Sequence, residues 1–340
     1  MRPGRRARGR PRGRGRVDAR ARAATAARVQ PGARGGGVAA GGRRIRGSRR
    51  GGGLRVGPAR RGGGPMTDAL AATGITHRYP PRRDPAARRA ARAARASGAP
   101  GPAPALDDVS FRIAPGETVG IVGRSGSGKS TLLRVLLALE APTSGAVALG
   151  DRAVTPGRTS ALRWYRRRVQ AVPQDPGASL EPRMTVRQLI REPLRRLDVA
   201  GDHAAIVARA LDDVGLAASL ADRRPRELSG GQAQRVALAR AIATSPGILL
   251  ADEPVSGVDL PLRDRIIELL GDLVRERGLG LVLVSHDLDA VARLCGRSVV
   301  LAGGRIVEEG PTGRLLADPA HPATRELADA VPRLPGALTA

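Results

Sequence analysis

Gly123-Arg124-Ser125-Gly126-Ser127-Gly128-Lys129-Ser130 is the stretch on which the fold of this 340-residue chain turns. It fits G-x-x-x-x-G-K-[ST], a glycine-rich loop whose backbone N–H groups wrap phosphate. Its lysine is the only one in the chain, against 57 arginines. A compact ammonium on a flexible stem can fold over such a loop and sit between β- and γ-phosphate oxygens. A planar guanidinium is larger and directional, and would crowd the backbone nest.

The flanks support this reading. Residues 117–122 read as a short buried strand, and 130–140 carry the apolar content of a packed helix. A strand, a glycine loop and a helix in that order give the motif its context. The helix N-terminus aims free N–H groups and a positive dipole end at the phosphates. A plain Gly-Ser turn ahead of an ordinary helix is the reading these flanks displace.

The net charge of +27 is unevenly placed. Residues 1–65 hold twenty arginines and one acid, Asp18, while residues 82–95 add six arginines and Asp84. The rest of the chain is close to neutral. The first 65 residues lack hydrophobic period and aromatics, so they cannot bury enough surface to offset their ordering entropy. They have no apolar h-region. Three readings stand for them: upstream sequence ahead of a start at Met66, an inert tail, or an arginine-glycine arm for RNA. Cys295, the single cysteine, permits no disulfide framework or cysteine-rich metal site and fits a small core position. No window reaches 18 apolar residues. The aromatics number four: Tyr79, Phe111, Trp164 and Tyr165.

Outward from the loop, 69–79 and Leu106–Ile113 read as strands, with 80–104 a Pro/Arg/Ala insertion between them. Ser144–Leu149 is a further strand. From 174 to 228 the pattern turns helical, at 186–197 and 204–214, and 230–244 is a helix with a polar glycine start. The runs 248–251 and 281–284 suit buried parallel strands, joined by a crossover helix at Leu260–Arg277. Beyond Gly310 come short helical pieces broken by prolines.

More chemistry lies downstream. Ile248-Leu249-Leu250-Ala251-Asp252-Glu253-Pro254 is an apolar strand ending in two carboxylates, the Walker B pattern. Asp252 suits Mg²⁺ through its water shell, and Glu253 suits polarising an attacking water. Leu228-Ser229-Gly230-Gly231-Gln232 is sharper still. Locally it is a Ser-Gly-Gly helix cap. Residue for residue it resembles the LSGGQ signature of ATP-binding-cassette (ABC) ATPases, which other P-loop ATPases lack. The resemblance runs from about residue 69 to 335. It implies an α/β P-loop NTPase core with a parallel sheet, an antiparallel β subdomain and an inserted α-helical subdomain. The implied division is a tail at 1–65, an ATPase domain at 66–310 with its helical part at about 174–228, and a C-terminal extension at 311–340.

The same resemblance assigns roles residue by residue. Gly123, Arg124, Ser125, Gly126, Ser127, Gly128, Lys129, Ser130 and Thr131 hold ATP. Tyr79 falls where the family places an aromatic that stacks on adenine; a strand-end tyrosine is the plainer reading. Gln174, after Val172-Pro173, falls at the Q-loop, where it touches Mg²⁺ and the attacking water. Ser130, Gln174 and Asp252 make up the metal set. Ser256-Gly257-Val258-Asp259 corresponds to the D-loop, usually Ser-Ala-Leu-Asp, and Gly257 and Val258 add backbone freedom. His286, in Val284-Ser285-His286-Asp287, matches the switch histidine that contacts the γ-phosphate. Glu253, His286, Gln174 and Lys129 are the implied catalytic residues. Ser229 and Gly231 of one subunit are implied to reach the γ-phosphate held by the other. Gly230, Gln232 and Asp259 count with them as nucleotide-binding.

Gln174-Asp175-Pro176-Gly177-Ala178-Ser179-Leu180-Glu181-Pro182-Arg183-Met184-Thr185-Val186 is similar to a stretch of dipeptide, oligopeptide and nickel importer ATPases, with Glu181 in place of Asn. His321-Pro322-Ala323-Thr324-Arg325-Glu326-Leu327 with Ala330-Val331-Pro332 resembles their C-terminal element, with Ala323 in place of an aromatic. Residues 186–194 lean toward the nickel branch. The resemblance implies an ATPase subunit on the cytoplasmic face of the membrane. Its partners are a second cassette, alike or different, and integral-membrane permeases, with an extracytoplasmic substrate-binding protein acting indirectly. No specific nucleic acid is implied. The rival readings are an exporter ATPase and a soluble ABC protein acting on ribosomes or DNA. That soluble class typically carries two cassettes or extra domains.

Overall fold

In a computed structural model the chain is described over residues 69–80 and 103–330. The arginine-rich tail, most of the 80–104 insertion and Val331-Pro332 lie outside the described residues. The strands are β1 (Leu70–His77), β2 (Leu106–Ile113), β3 (Thr118–Val122), β4 (Ser144–Leu149), β5 (Arg152–Val154), β6 (Val169–Val172), β7 (Ile248–Asp252), β8 (Gly280–Val284), β9 (Arg297–Ala302) and β10 (Arg305–Pro311). The α-helices are α1 (Lys129–Leu136), α2 (Arg163–Arg168), α3 (Val186–Arg196), α4 (His203–Asp213), α5 (Gly230–Ile242), α6 (Leu260–Arg277), α7 (Leu288–Leu294), α8 (Thr312–Ala317) and α9 (Pro322–Asp329).

The apolar runs become a six-stranded sheet of order β10-β9-β3-β8-β7-β6. All neighbours in it are parallel except β10, which pairs antiparallel with β9. Side chains alternate across a strand, so a continuous apolar run buries both faces. Ile248, Leu250, Val282, Val284, Val299 and Leu301 face one core. Leu249, Ala251, Leu281, Leu283 and Val300 face the other. The first core is closed by α1 and by an antiparallel sheet of order β2-β1-β4-β5. The second is closed by α5, α6 and α7 and by the inserted helices α3 and α4. Gly120 is the point of closest approach there: a Cβ would lie 2.6 Å from Val291 and 2.8 Å from Ser298 Oγ.

Local signals place the inserted helices. Thr185 and Gln188 form a reciprocal capping box at α3, and Asp202 caps α4. Leu189, Ile190, Leu194, Val207 and Leu211 then share a core with Val236 of α5.

Helix α1 stops at Leu136, short of the run to 140 that the apolar pattern predicts. Ala138 takes φ 51°, Leu139 N–H donates to Arg134 O at 2.9 Å, and Ala138 N–H donates to Val135 O at 3.0 Å. That is a Schellman ending with alanine where glycine usually marks it. Six elements were not read from the pattern: β5, α2, β6, α7, β9 and β10. In α2 only Tyr165 is buried among arginines, and β6 is four residues long, too short for a period. The β9–β10 turn did carry a signal, Gly303-Gly304, with φ 57° and 81°.

Candidate functional site

The loop from Gly123 to Gly128 joins the end of β3 to the start of α1. Gly128 takes φ 111°, and a Cβ there would lie 2.6 Å from Ala105 O. At Gly123 a Cβ would lie 2.3 Å from Leu301 O. Both positions therefore exclude a side chain, and the loop backbone stays bare. Lys129 Nζ folds over it and donates to Gly123 O at 2.6 Å and Arg124 O at 3.0 Å. Burial lowers the Lys129 pKa, against the opposing pull of Glu253 and Asp252. Ser127 Oγ is buried in the same loop without a hydrogen-bond partner.

The opposite wall comes from the ends of β7 and β8. Asp252 closes β7, and burial, reinforced by Glu253, raises its carboxyl pKa, with Lys129 and Arg134 pulling the other way. Glu253 follows in the left-handed region at φ 50°, a conformation that costs on the order of 1 kcal/mol or more in a non-glycine residue. Its N–H donates to Val284 O at 2.8 Å, which ties it to β8. Its Oε2 lies 2.5 Å from His286 Nδ1. The histidine ring is 66% exposed and the glutamate 15%, so the pair sits at a mouth with its carboxylate turned inward.

These groups line one cavity of about 550 Å³: Gly123, Arg124, Ser125, Gly126, Gly128, Lys129, Ser130 and Thr131 with Tyr79, Gln174, Asp252, Glu253 and His286. Tyr79 is 44% exposed. Its hydroxyl lies 3.1 Å from Thr131 Oγ1, and its ring meets His77 edge-on at 4.7 Å. The structure does not bring Ser229, Gly230, Gly231, Gln232 or Asp259 to this cavity. Ser229 instead caps α5, its Oγ accepting from Gln232 N–H at 3.2 Å while Gln232 Oε1 accepts from Ser229 N–H at 2.9 Å. A Cβ on Gly230 would meet nothing within 4 Å. Asp259 caps α6 by accepting from Leu262 N–H at 2.9 Å.

Sequence reasoning missed Ala105 and Leu327, which also line the cavity. It also missed the pair Arg124 Nη1–Glu326 Oε2 at 3.0 Å, which places α9 at the loop. No local pattern announces these contacts: Ala105 meets the loop from the start of another strand, and the Arg124–Glu326 pair joins residues 202 positions apart.

The donors Ser130, Gln174 and Asp252 share the cavity and are all oxygens: a hydroxyl, an amide carbonyl and a carboxylate. Mg²⁺ takes such hard ligands in small number, filling the rest of its shell with phosphate oxygens and water. Among the described residues no group of three or more His, Cys, Asp or Glu side chains could hold a metal by itself. The set fits an ion that arrives with a phosphate and does not fit an all-protein cage.

A family model described as ABC transporter matches residues 106–256. A peptide import ATP-binding protein of Brucella abortus (strain 2308) is 47% identical over 236 residues, which is 67% of this chain and 70% of that protein. The glutathione import ATP-binding protein GsiA of Salmonella choleraesuis (strain SC-B67) is 45% identical over 230 residues, 67% of this chain and 37% of that protein. Among solved structures, a dimeric post-hydrolysis state of the ATP-binding cassette MJ0796 bound to ADP and Pi matches with a TM-score of 0.60. That likeness has 29% identity and covers 72% of this chain and 98% of that one.

Proposed function

The chain belongs to the ABC transporter ATP-binding family, and on that premise we propose that it is the ATP-hydrolysing subunit of a peptide importer. It works as one of two cassettes pressed against membrane-embedded permease subunits, on the cytoplasmic side. Among the described residues no helix is long and apolar enough to cross a membrane. The observation that carries the reading is a divided site. The phosphate loop, the two carboxylates and His286 share one cavity, while Ser229 to Gln232 and Asp259 lie away from it. A second cassette would supply the missing half. The relatives named for peptide and glutathione import support a peptide as cargo.

The chain's own groups then have separate tasks. Loop N–H groups and the α1 N-terminus receive the phosphates. The Lys129 ammonium leaves the Gly123 and Arg124 carbonyls for the β- and γ-phosphate oxygens. Ser130, Gln174 and Asp252 would hold Mg²⁺, which would offset charge on the phosphate oxygens. With Oε2 tied to His286, Glu253 keeps Oε1 for the proton of the attacking water. His286 turns its remaining ring nitrogen to the γ-phosphoryl group, and Tyr79 offers its exposed face to the adenine. Catalysis is positioning and charge neutralisation, as phosphoryl transfer requires.

Turnover measured over a dilution series tests the pair. The rate should rise more than linearly with concentration, and addition of a differing second cassette should restore it if the like pair is silent. Strictly linear turnover at the lowest concentrations, with no second cassette present, would remove the divided site from the mechanism.

A further inference from the structure

His286 is braced from a direction that the nucleotide chemistry does not use. Its predecessor Ser285 is 1% exposed, at the end of β8, and accepts through Oγ from Asp287 N–H at 3.0 Å. Its successor Asp287 spends its two carboxylate oxygens on different partners. Oδ1 accepts from Ala290 N–H at 3.1 Å and caps α7, while Oδ2 lies 2.8 Å from Arg263 Nε. A helix cap needs only the first of these. The second joins α7 to α6, one turn into the helix that Asp259 begins. Arg263 N–H donates to Asp259 O at 2.9 Å, and its guanidinium also pairs with Asp289. Arg263 is 18% exposed and Asp287 21%, so this bridge is held away from most of the solvent that weakens surface pairs.

Contact therefore runs unbroken from Asp259 through Arg263 and Asp287 to His286 and Glu253. The near end of this path is the D-loop, outside the cavity. The far end is the carboxylate that faces the attacking water. We propose that Arg263 is a positioning residue: by clamping Asp287 it fixes the ring of His286 on Glu253 and ties that geometry to the Asp259 end of α6. Without Arg263, Asp289 keeps only the longer approach of Arg293 at 3.9 Å, and Asp287 Oδ2 loses the guanidinium beside it. The His286 turn then has one brace in place of two. Lysine is a poor substitute, because its charge sits on one nitrogen, whereas the guanidinium meets Asp287 and Asp289 with two separate nitrogens.

The inference rests on the ATPase reading, so one of its tests uses no turnover. With histidines isotopically labelled in the full chain, the His286 ring signal is identified by its loss in His286→Ala. In Arg263→Gln it should move in the same direction as in Glu253→Gln; an unmoved signal overturns the proposal. In ATP turnover, Arg263→Gln should lower kcat about tenfold to a hundredfold, the scale of a misplaced catalytic group, with KM altered less than about twofold. Arg263→Lys should recover part of that loss. In a His286→Ala background Arg263→Gln should cost nothing further, whereas multiplied losses would mean that it acts elsewhere. Should Arg263→Gln fail to fold, Asp287→Asn keeps an oxygen for Ala290 N–H, removes the charge Arg263 needs, and carries the same readouts. A wild-type chain that hydrolyses no ATP even with a second cassette added would defeat the ATPase reading and leave the ring-signal test standing.

Discussion

Glu253 combines a left-handed backbone at φ 50° with a 2.5 Å contact to His286. A strained residue kept at the end of a sheet strand indicates that its direction matters more than its conformational cost. Glu253→Gln keeps the shape and a hydrogen bond to His286 but cannot take a proton. Turnover should fall about 10²-fold to 10⁴-fold, with ATP still bound and the paired form accumulating; phosphate release at the wild-type rate would take Glu253 out of the base role. At this scale the sequence was largely legible. Lys129, Asp252 and His286 each stand in a short local pattern, and the chain's own arginine habit marks the lysine. Arg263, Leu327 and Glu326 were illegible, because what makes them matter is a contact between distant segments.

Ser229 shows an element using one residue twice. Its hydroxyl caps α5 by accepting from Gln232 N–H, and that oxygen can still donate its own proton outward. Ser229→Ala should cost about 1 kcal/mol of stability, the worth of a cap, read as a fall in Tm. Its loss of turnover should be far larger than that fall explains. Equal, proportionate losses would reduce Ser229 to a cap alone. Element types followed from burial. Runs with both faces buried, such as 248–251 and 281–284, read as parallel strands because no polar residue interrupts them. Where burial is slight the pattern fails, as in α2, whose only buried residue is Tyr165. Boundaries fail where an unusual residue does a usual job, as Ala138 does in closing α1.

At the scale of the molecule, the cavity is assembled by described residues that all lie beyond Met66. A chain beginning at Met66 should therefore keep its ATP turnover, while the full chain, with twenty arginines in residues 1–65, should retain polyanions with steep salt dependence. Turnover lost on truncation, measured at matched salt, would give the tail a role in the site. The parallel-sheet core with its antiparallel and helical subdomains was implied by the family resemblance its motifs carry, but the closure of the first core by β2, β1, β4 and β5 depends on pairings between residues far apart in sequence, such as Leu70 with Leu149. The lone lysine has a practical meaning as well. An amine-reactive reagent finds, besides the α-amino group, a single target in 340 residues. Burial lowers that amine's pKa, so a larger share of it is the unprotonated nucleophile than in an ordinary lysine. Acylation of Lys129, read by peptide mapping apart from the α-amino group, should thus count vacant sites, slow as ATP saturates the chain, and silence each molecule it modifies; Lys129 labelling undiminished by saturating ATP would put Nζ out of the nucleotide's reach.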